Sequence, residues 1–170
     1  MSPVQITATM QDAMNSQMTE EFQAGYSYYA MAGWLDRAGF PGMAGWMRAQ
    51  ADEEWMHAKK FGMHITDRGG GVSPGPLAAP KAEFESVAEV FTVGLAQERT
   101  VSTLINELYS LALDQRDHAS IPLLDWFVAE QIEEEANFGQ IVADLELAAD
   151  DSRALLMLDR ELGARPAVVQ

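Results

Sequence analysis

The chain has 170 residues and a mass of 18.7 kDa, with 48% apolar and 22% charged residues, the proportions of a soluble globule of one domain's length. It contains no cysteine, which excludes disulfides, thiolate metal sites, iron–sulfur clusters and a cysteine nucleophile. Eleven basic side chains against 26 acidic ones leave a net charge of −15, a surface that repels nucleic acid and anionic lipid and concentrates cations.

Residues from about 7 to 37 contain no proline, and their apolar positions recur every three or four residues, which predicts a first helix. Ala38-Gly39-Phe40-Pro41-Gly42 interrupts the pattern, with Pro41 well placed near a helix start, and a second helix is expected over about 43–68, ending at Gly69-Gly70-Gly71. The stretch Val72-Ser73-Pro74-Gly75-Pro76-Leu77-Ala78-Ala79-Pro80 can be neither helix nor central strand, so about 69–85 is a connection. A third helix is predicted over about 86–114 and a fourth over about 121–148. Asp150-Asp151-Ser152 caps a short fifth over about 151–162, ending near Gly163 and ahead of Pro166. No hairpin signal appears, so the class is all-α, and residues 1–170 read as a single domain. The connection of about seventeen residues is too long for a bundle turn. It is long enough to cross the bundle and leave helices two and three parallel.

No run approaches the ~18 apolar residues of a membrane span. The start, Met-Ser-Pro-Val-Gln, lacks the basic segment and apolar core of a signal peptide. The expected location is the cytoplasm, with neither membrane nor nucleic acid as partner.

Each long helix carries an apolar stripe that turns polar near its centre. Helix one gives Met10, Met14, Met18, Glu21, Gly25, Tyr28, Met31 and Leu35; helix two gives Met43, Met47, Gln50, Glu54, His57, Phe61 and Ile65. Helix three gives Phe91, Gly94, Glu98, Val101, Ile105, Leu108 and Ala112; helix four gives Leu124, Phe127, Gln131, Glu134, Phe138, Ile141 and Leu145. An acidic pair such as Glu20-Glu21, taken alone, reads as a solvated face. Mid-stripe carboxylates on four helices together do not.

Helix mid-points share one level of a bundle whichever way each helix runs. Glu21, Glu54, Glu98 and Glu134 therefore converge on one layer with His57 and Gln131. Burying an unpaired carboxylate costs several kcal/mol, and four of them also repel one another. Either they protonate or cations fill the layer. Four carboxylates balance two divalent ions, and Glu54 and His57, at i and i+3, can share one of them. Oxygen donors with one imidazole and no thiolate suit iron or manganese, not a closed zinc site. A symmetric site with two Glu-x-x-His motifs is impossible, because helix four reads Gln131-Ile132-Glu133-Glu134. No P-loop, dinucleotide fingerprint or nucleophile elbow offers another chemistry.

In these residues the chain resembles a bacterial non-haem ferritin. The matching stretches are Gln17-Met18-Thr19-Glu20-Glu21, Asp52-Glu53-Glu54-Trp55-Met56-His57, Gln97-Glu98-Arg99-Thr100 and Glu130-Gln131-Ile132-Glu133-Glu134-Glu135. The resemblance implies a ferritin-like bundle and a ferroxidase centre in which Glu21, Glu54 and His57 hold one iron. It makes Glu54 bridging, puts Glu98 and Glu134 on the second iron with Gln131 close by, and sets Tyr28 beside the centre as an electron donor. In some bacterial ferritins a third iron sits nearby, on positions that correspond to Glu53, Glu130, Glu133 and Glu134. The resemblance further implies ferrous iron and dioxygen or hydrogen peroxide as reactants, and a 24-subunit cage storing ferric mineral, with the fifth helix around its four-fold axes. Haem is not expected: the haem methionine of bacterioferritins falls at Trp55 and their second histidine at Glu134, with Met56 one position off.

Two other readings compete. One is a discrete di-iron or di-manganese oxidase or peroxidase on the same bundle, which lays down no mineral. The other is an acidic helical scaffold or a DNA-protecting mini-ferritin shell.

Overall fold

The computed structural model describes residues 2 and 4–165. Five helices follow in order: α1 (Ala8–Ala38), α2 (Pro41–Asp67), α3 (Val87–Asp114), α4 (Ile121–Ala148) and α5 (Ser152–Leu162). There is no strand among the described residues, and the architecture is a four-helix bundle with a long crossover and a short fifth helix. Pro166, expected to follow the end of α5, lies outside the described residues.

Local chemistry sets the helix starts. Thr7 Oγ1 accepts from the Met10 N–H at 3.3 Å, and Ser86 Oγ accepts from the Glu89 N–H at 3.1 Å. The second helix begins at Pro41, not at 43, because proline fits the first helical turn, where its missing N–H leaves nothing unpaired. Phe40 supplies no side-chain cap there. The cap comes instead from α5, whose Asp159 Oδ1 accepts from the Met43 N–H at 2.8 Å.

All residues of the four predicted stripes except the two glycines carry their side chains into the interior, and Gly25 and Gly94 are themselves buried. The apolar core falls into two clusters. One holds Tyr28, Leu35, Met47, Phe91, Phe138 and their neighbours; the other holds Met10, Met14, Phe61, Ile105, Leu124 and Phe127 with theirs. Along every long helix the chain passes from one cluster to the other at the polar residues: Met18 to Ala24 across Glu21, Ala51 to Ala58 across Glu54 and His57. Leu95 to Val101 crosses Glu98, and Phe127 to Phe138 crosses Gln131 and Glu134. The polar residues thus form one layer between two apolar blocks.

α1 packs chiefly against α2 and α3 against α4, while no Cα of α2 comes within 8 Å of α4. Large side chains fill that wider seam: Phe61 stacks on Phe127 with centroids 4.3 Å apart, and Trp46 meets Phe138 edge-on at 5.0 Å. Gly94 makes the second contact possible, since a Cβ there would lie 2.4 Å from the Phe138 ring. At the far end, Arg68 forks onto Asp117 at 2.7 and 2.8 Å and donates to the Val4 carbonyl at 2.8 Å. One guanidinium thereby ties the end of α2 to the α3–α4 turn and the N-terminal segment.

The crossover is held by a ladder of polar side chains spaced four apart on α1. Gln11 Oε1 accepts from Gly71 N–H at 2.8 Å, Asn15 Oδ1 from Ser73 N–H at 2.7 Å, and Thr19 Oγ1 from Gly75 N–H at 2.9 Å. Gln23 Oε1 accepts from Ala78 N–H at 2.7 Å, while the Asn15 and Gln23 amides donate back to the Gly71 and Ala78 carbonyls. Four helical residues rise ~6 Å and two extended residues span ~6.6 Å, so the first three rungs keep step.

Candidate metal centre

The centre of the bundle is built from side chains that have almost no exposure: Glu21, Gln50, Glu54, His57, Glu98, Gln131 and Glu134 are all buried. Glu21 and Glu54 stand on neighbouring helices, with His57 one turn beyond Glu54. His57 Nδ1 lies 3.3 Å from Glu54 Oε2 and 4.0 Å from Glu21 Oε2. Its other nitrogen, Nε2, is 3.7 Å from Glu130 Oε1. One donor atom from each of Glu21, Glu54 and His57 can be chosen so that all lie within 4.8 Å of one another, and the same holds for His57, Glu130 and Glu134.

The remaining members are fixed by hydrogen bonds. The Tyr28 hydroxyl donates to Glu98 Oε1, and the Gln131 amide donates to Glu98 Oε2 at 3.1 Å. The Gln50 amide donates to Glu134 Oε2 at 2.7 Å, and Gln17 Nε2 donates to Glu21 Oε1 at 2.8 Å. Glu98 therefore accepts from both neighbours across the layer, and among the described residues no three-donor group includes it. Glu53 sits at the rim, paired with Arg165, while Glu133 is exposed and lies outside both donor groups.

Burial dominates the electrostatics. It raises the Glu21 carboxyl well above its ordinary range, with repulsion from Glu54 next in size. Burial and then Glu98 raise Glu54 in the same direction, and burial raises Glu98 itself. Glu134 is pushed up to about 8, by burial first and by Glu98 second. Burial pulls His57 down, but the Glu130 carboxylate 3.7 Å from its Nε2 and the charge of Glu21 outweigh it and the imidazole ends raised. Burial, with Glu98 behind it, also raises the Tyr28 hydroxyl. The His57 imidazole offers Glu21, Glu98 and Glu134 some positive charge, but less than burial withholds, so all four carboxyls of the layer stay raised.

Two oxygens show where that charge belongs. Glu21 Oε2 and Glu54 Oε1 are fully buried and make no hydrogen bond, an arrangement that costs ~1–3 kcal/mol or more per atom unless something else binds them. Both belong to the group with His57. Metal–ligand bonds of ~2.0–2.2 Å put three donors of one ion roughly 3.0–3.6 Å apart, so a trio within 4.8 Å has to draw in by about an ångström around an ion. Two carboxylates and one imidazole, lacking any thiolate, fit iron or manganese.

The layer opens to the surface through the α2–α4 seam. A cavity of about 390 Å³ there is lined by Glu53, His57, Lys60, Trp126 and Glu130 among others. The Trp126 ring lies 5.4 Å from the His57 ring, and the Lys60 ammonium sits over it at 4.3 Å.

Residues 11–148 match the ferritin family, described as a ferritin-like domain. The chain belongs to the ferritin family. Among relatives, it is 42% identical over 154 residues to a bacterial non-heme ferritin of Staphylococcus saprophyticus, covering 91% of this chain and 92% of that one. A bacterial non-heme ferritin of Staphylococcus aureus is 37% identical over 160 residues, with 94% and 96% covered. Among solved structures, an open-pore ferritin from the hyperthermophilic archaeon Archaeoglobus fulgidus superposes with a TM-score of 0.94 at 39% identity, covering 96% of this chain and 99% of that one. A form of the Archaeoglobus ferritin engineered to be closed gives 0.94 at 38% identity, with the same coverage.

Reasoning from sequence left the supporting residues of this ferritin without a role. Gln17 lies four residues before Glu21 and Gln50 four before Glu54, the spacing at which helical side chains meet, and that spacing was the available signal for Gln17. Gln50 instead turns across the seam to Glu134, and Arg165 arrives from beyond α5. Neither contact has a local signature.

Proposed function

We propose that this ferritin is an iron-storage ferroxidase: it takes up ferrous iron at the buried layer, passes its electrons to dioxygen or hydrogen peroxide, and stores the ferric product. The observation that carries the reading is the pair of unpartnered buried oxygens on Glu21 and Glu54 beside His57, in a chain of this family. In this reading Glu21, Glu54 and His57 hold one iron, and Glu54, Glu98 and Glu134 the other, with Gln131 orienting Glu98. Four carboxylates neutralise two ferrous ions, and Tyr28 supplies an electron and donates its hydroxyl hydrogen bond to the Glu98 carboxylate. Glu53, Glu130 and Glu133 are assigned to a third iron that shares Glu134. The iron supplies the redox change; the protein supplies positions, charge balance and a route in along the α2–α4 seam.

The same reading makes residues 1–170 one domain that assembles into a cytoplasmic cage of 24 subunits. Support for assembly comes from α5, whose Leu156 and Met157 are 50% and 71% exposed on a helix that packs Leu155, Leu158 and Leu162 against the core. No helix among the described residues is long and apolar enough to cross a membrane.

The test is an aerobic ferrous titration of metal-free protein on the millisecond scale, with native mass measured alongside. A fast phase ending at about two irons per chain, followed by slower growth without precipitate, is expected. Glu98→Ala should remove a ligand of the second iron and slow the fast phase. Unchanged fast oxidation in that variant would sink the ligand assignment, and a small oligomer that forms no mineral would point to a discrete oxidase.

A further inference from the structure

Arg165 stands three residues beyond α5 and reaches back to the rim of the polar layer. Its Nη2 donates to Glu53 Oε2 at 2.5 Å and its Nη1 to Gln50 Oε1 at 2.5 Å. The guanidinium also lies over the Trp46 ring, 5.0 Å from its centroid, and points Nη1 toward the Trp46 carbonyl at 3.5 Å. Both partners of the ion pair are more than three-quarters buried. A freely solvated pair holds its geometry weakly and contributes little. This one has two charge-assisted donors, a ring beneath the cation and a further link, since Gln50 passes the contact on to Glu134.

Glu53 is the rim carboxylate assigned above to a third iron, and here its Oε2 is committed to a cation that the chain itself provides. An ion that takes Glu53 Oε2 must first displace the guanidinium. We propose that Arg165 is a built-in counter-cation that competes with metal for Glu53, so that an ion beyond the buried pair binds only as the C-terminal segment lets go. This rests on the reading of the centre given above. It converts the order of filling into a property of the fold: the inner pair has no internal competitor, and the rim position has one. A site that is free for only a tenth of the time loses about tenfold in apparent affinity. The third ion should therefore be the one whose affinity responds to changes at Arg165.

Anaerobic ferrous titrations by calorimetry on assembled wild-type, Arg165→Ala and Arg165→Lys proteins test this. The expected result is that Arg165→Ala binds the ion beyond two per chain about tenfold more tightly than wild type. Arg165→Lys should fall between, because an ammonium replaces a two-donor fork with a point charge. Equal or weaker third-ion affinity in Arg165→Ala overturns the proposal, as does the absence of any third ion in both proteins. If the alanine variant fails to assemble, the lysine isotherm decides in the same way. Failure of the underlying reading looks different: wild-type protein would then take up no ferrous ion in the first two steps.

Discussion

Replacing Glu134 with glutamine tests whether the polar layer is strained when it holds no metal. The Glu134 carboxyl moves from its ordinary 4.5 to about 8 in the folded chain, by burial first and repulsion from Glu98 second. A raised folded-state pKa means that the folded chain keeps a proton the unfolded chain has released. Stability from this group is therefore complete below about pH 4.5 and is lost as pH rises toward about 8. Each pH unit in that window is worth ~1.4 kcal/mol for one proton. Between pH 5 and pH 7.5, wild-type metal-free protein should lose about 3 kcal/mol relative to Glu134→Gln, somewhat less where Glu98 takes over part of the proton uptake.

The glutamine is isosteric, cannot ionise and can still accept from Gln50, so packing is unchanged while the charge is gone. The assay is urea unfolding of chelator-stripped wild-type and variant proteins across this range, at one protein concentration because assembly contributes to stability. The variant's advantage should grow with pH and level off near pH 8. Saturating metal should reverse the order, since the ion takes the place of the proton and needs the carboxylate. A difference that stays flat from pH 5 to pH 8 would refute the claim that this buried carboxyl keeps its proton.

Asn15→Ala removes two rungs between α1 and the crossover, at 3.0 and 2.7 Å. The local loss of ~1 kcal/mol predicts about fivefold faster protease cleavage within 69–85, read by mass spectrometry, with the global melting temperature almost unmoved. Gly42→Ala would place a Cβ 1.8 Å from the Asp159 carbonyl oxygen, so α5 must move away and the Met43 N–H loses its cap. An alanine inside a helix ordinarily stabilises it by ~1 kcal/mol over glycine. Here we expect the opposite sign, with faster hydrogen exchange across α5 and a smaller native mass; a stabilised, fully assembled variant would contradict the docking described.

The bundle and the location of its polar layer were legible in the sequence because both rest on local periodicity. Glu21, Glu54, Glu98 and Glu134 interrupt the stripes at mid-helix, and helix packing turns equal position along a helix into proximity in space. Pro41 was placed near the start of helix two, but the cap was not legible, because it comes from Asp159, 116 residues along the chain. The hold on the crossover was also missed: Gln11, Asn15, Thr19 and Gln23 look like an ordinary solvated face until an extended strand of matching rise lies against them. Gln50 occupied a stripe position with nothing in its neighbourhood to name Glu134 as its partner. Arg165 could not be placed at all, since a tail's path depends on the whole surface it crosses.

The layer's cost and its chemistry have one origin. A bundle of this length could join its two apolar blocks directly, with leucines where Glu21, Glu54, Glu98 and Glu134 stand, and be more stable without metal. The chain instead keeps the blocks apart at seven buried polar positions and anchors them elsewhere. Arg68 and Asp117 close one end, Asp159 caps α2 at the other, and the ladder from Gln11 to Gln23 straps the crossover along α1. These ties lie outside the layer, so the donors can stay fixed while their charges remain unbalanced. Ions that bind there restore the stability the carboxylates withhold, which couples occupancy to rigidity. The rim carboxylate Glu53 is the exception: the chain balances it with its own Arg165.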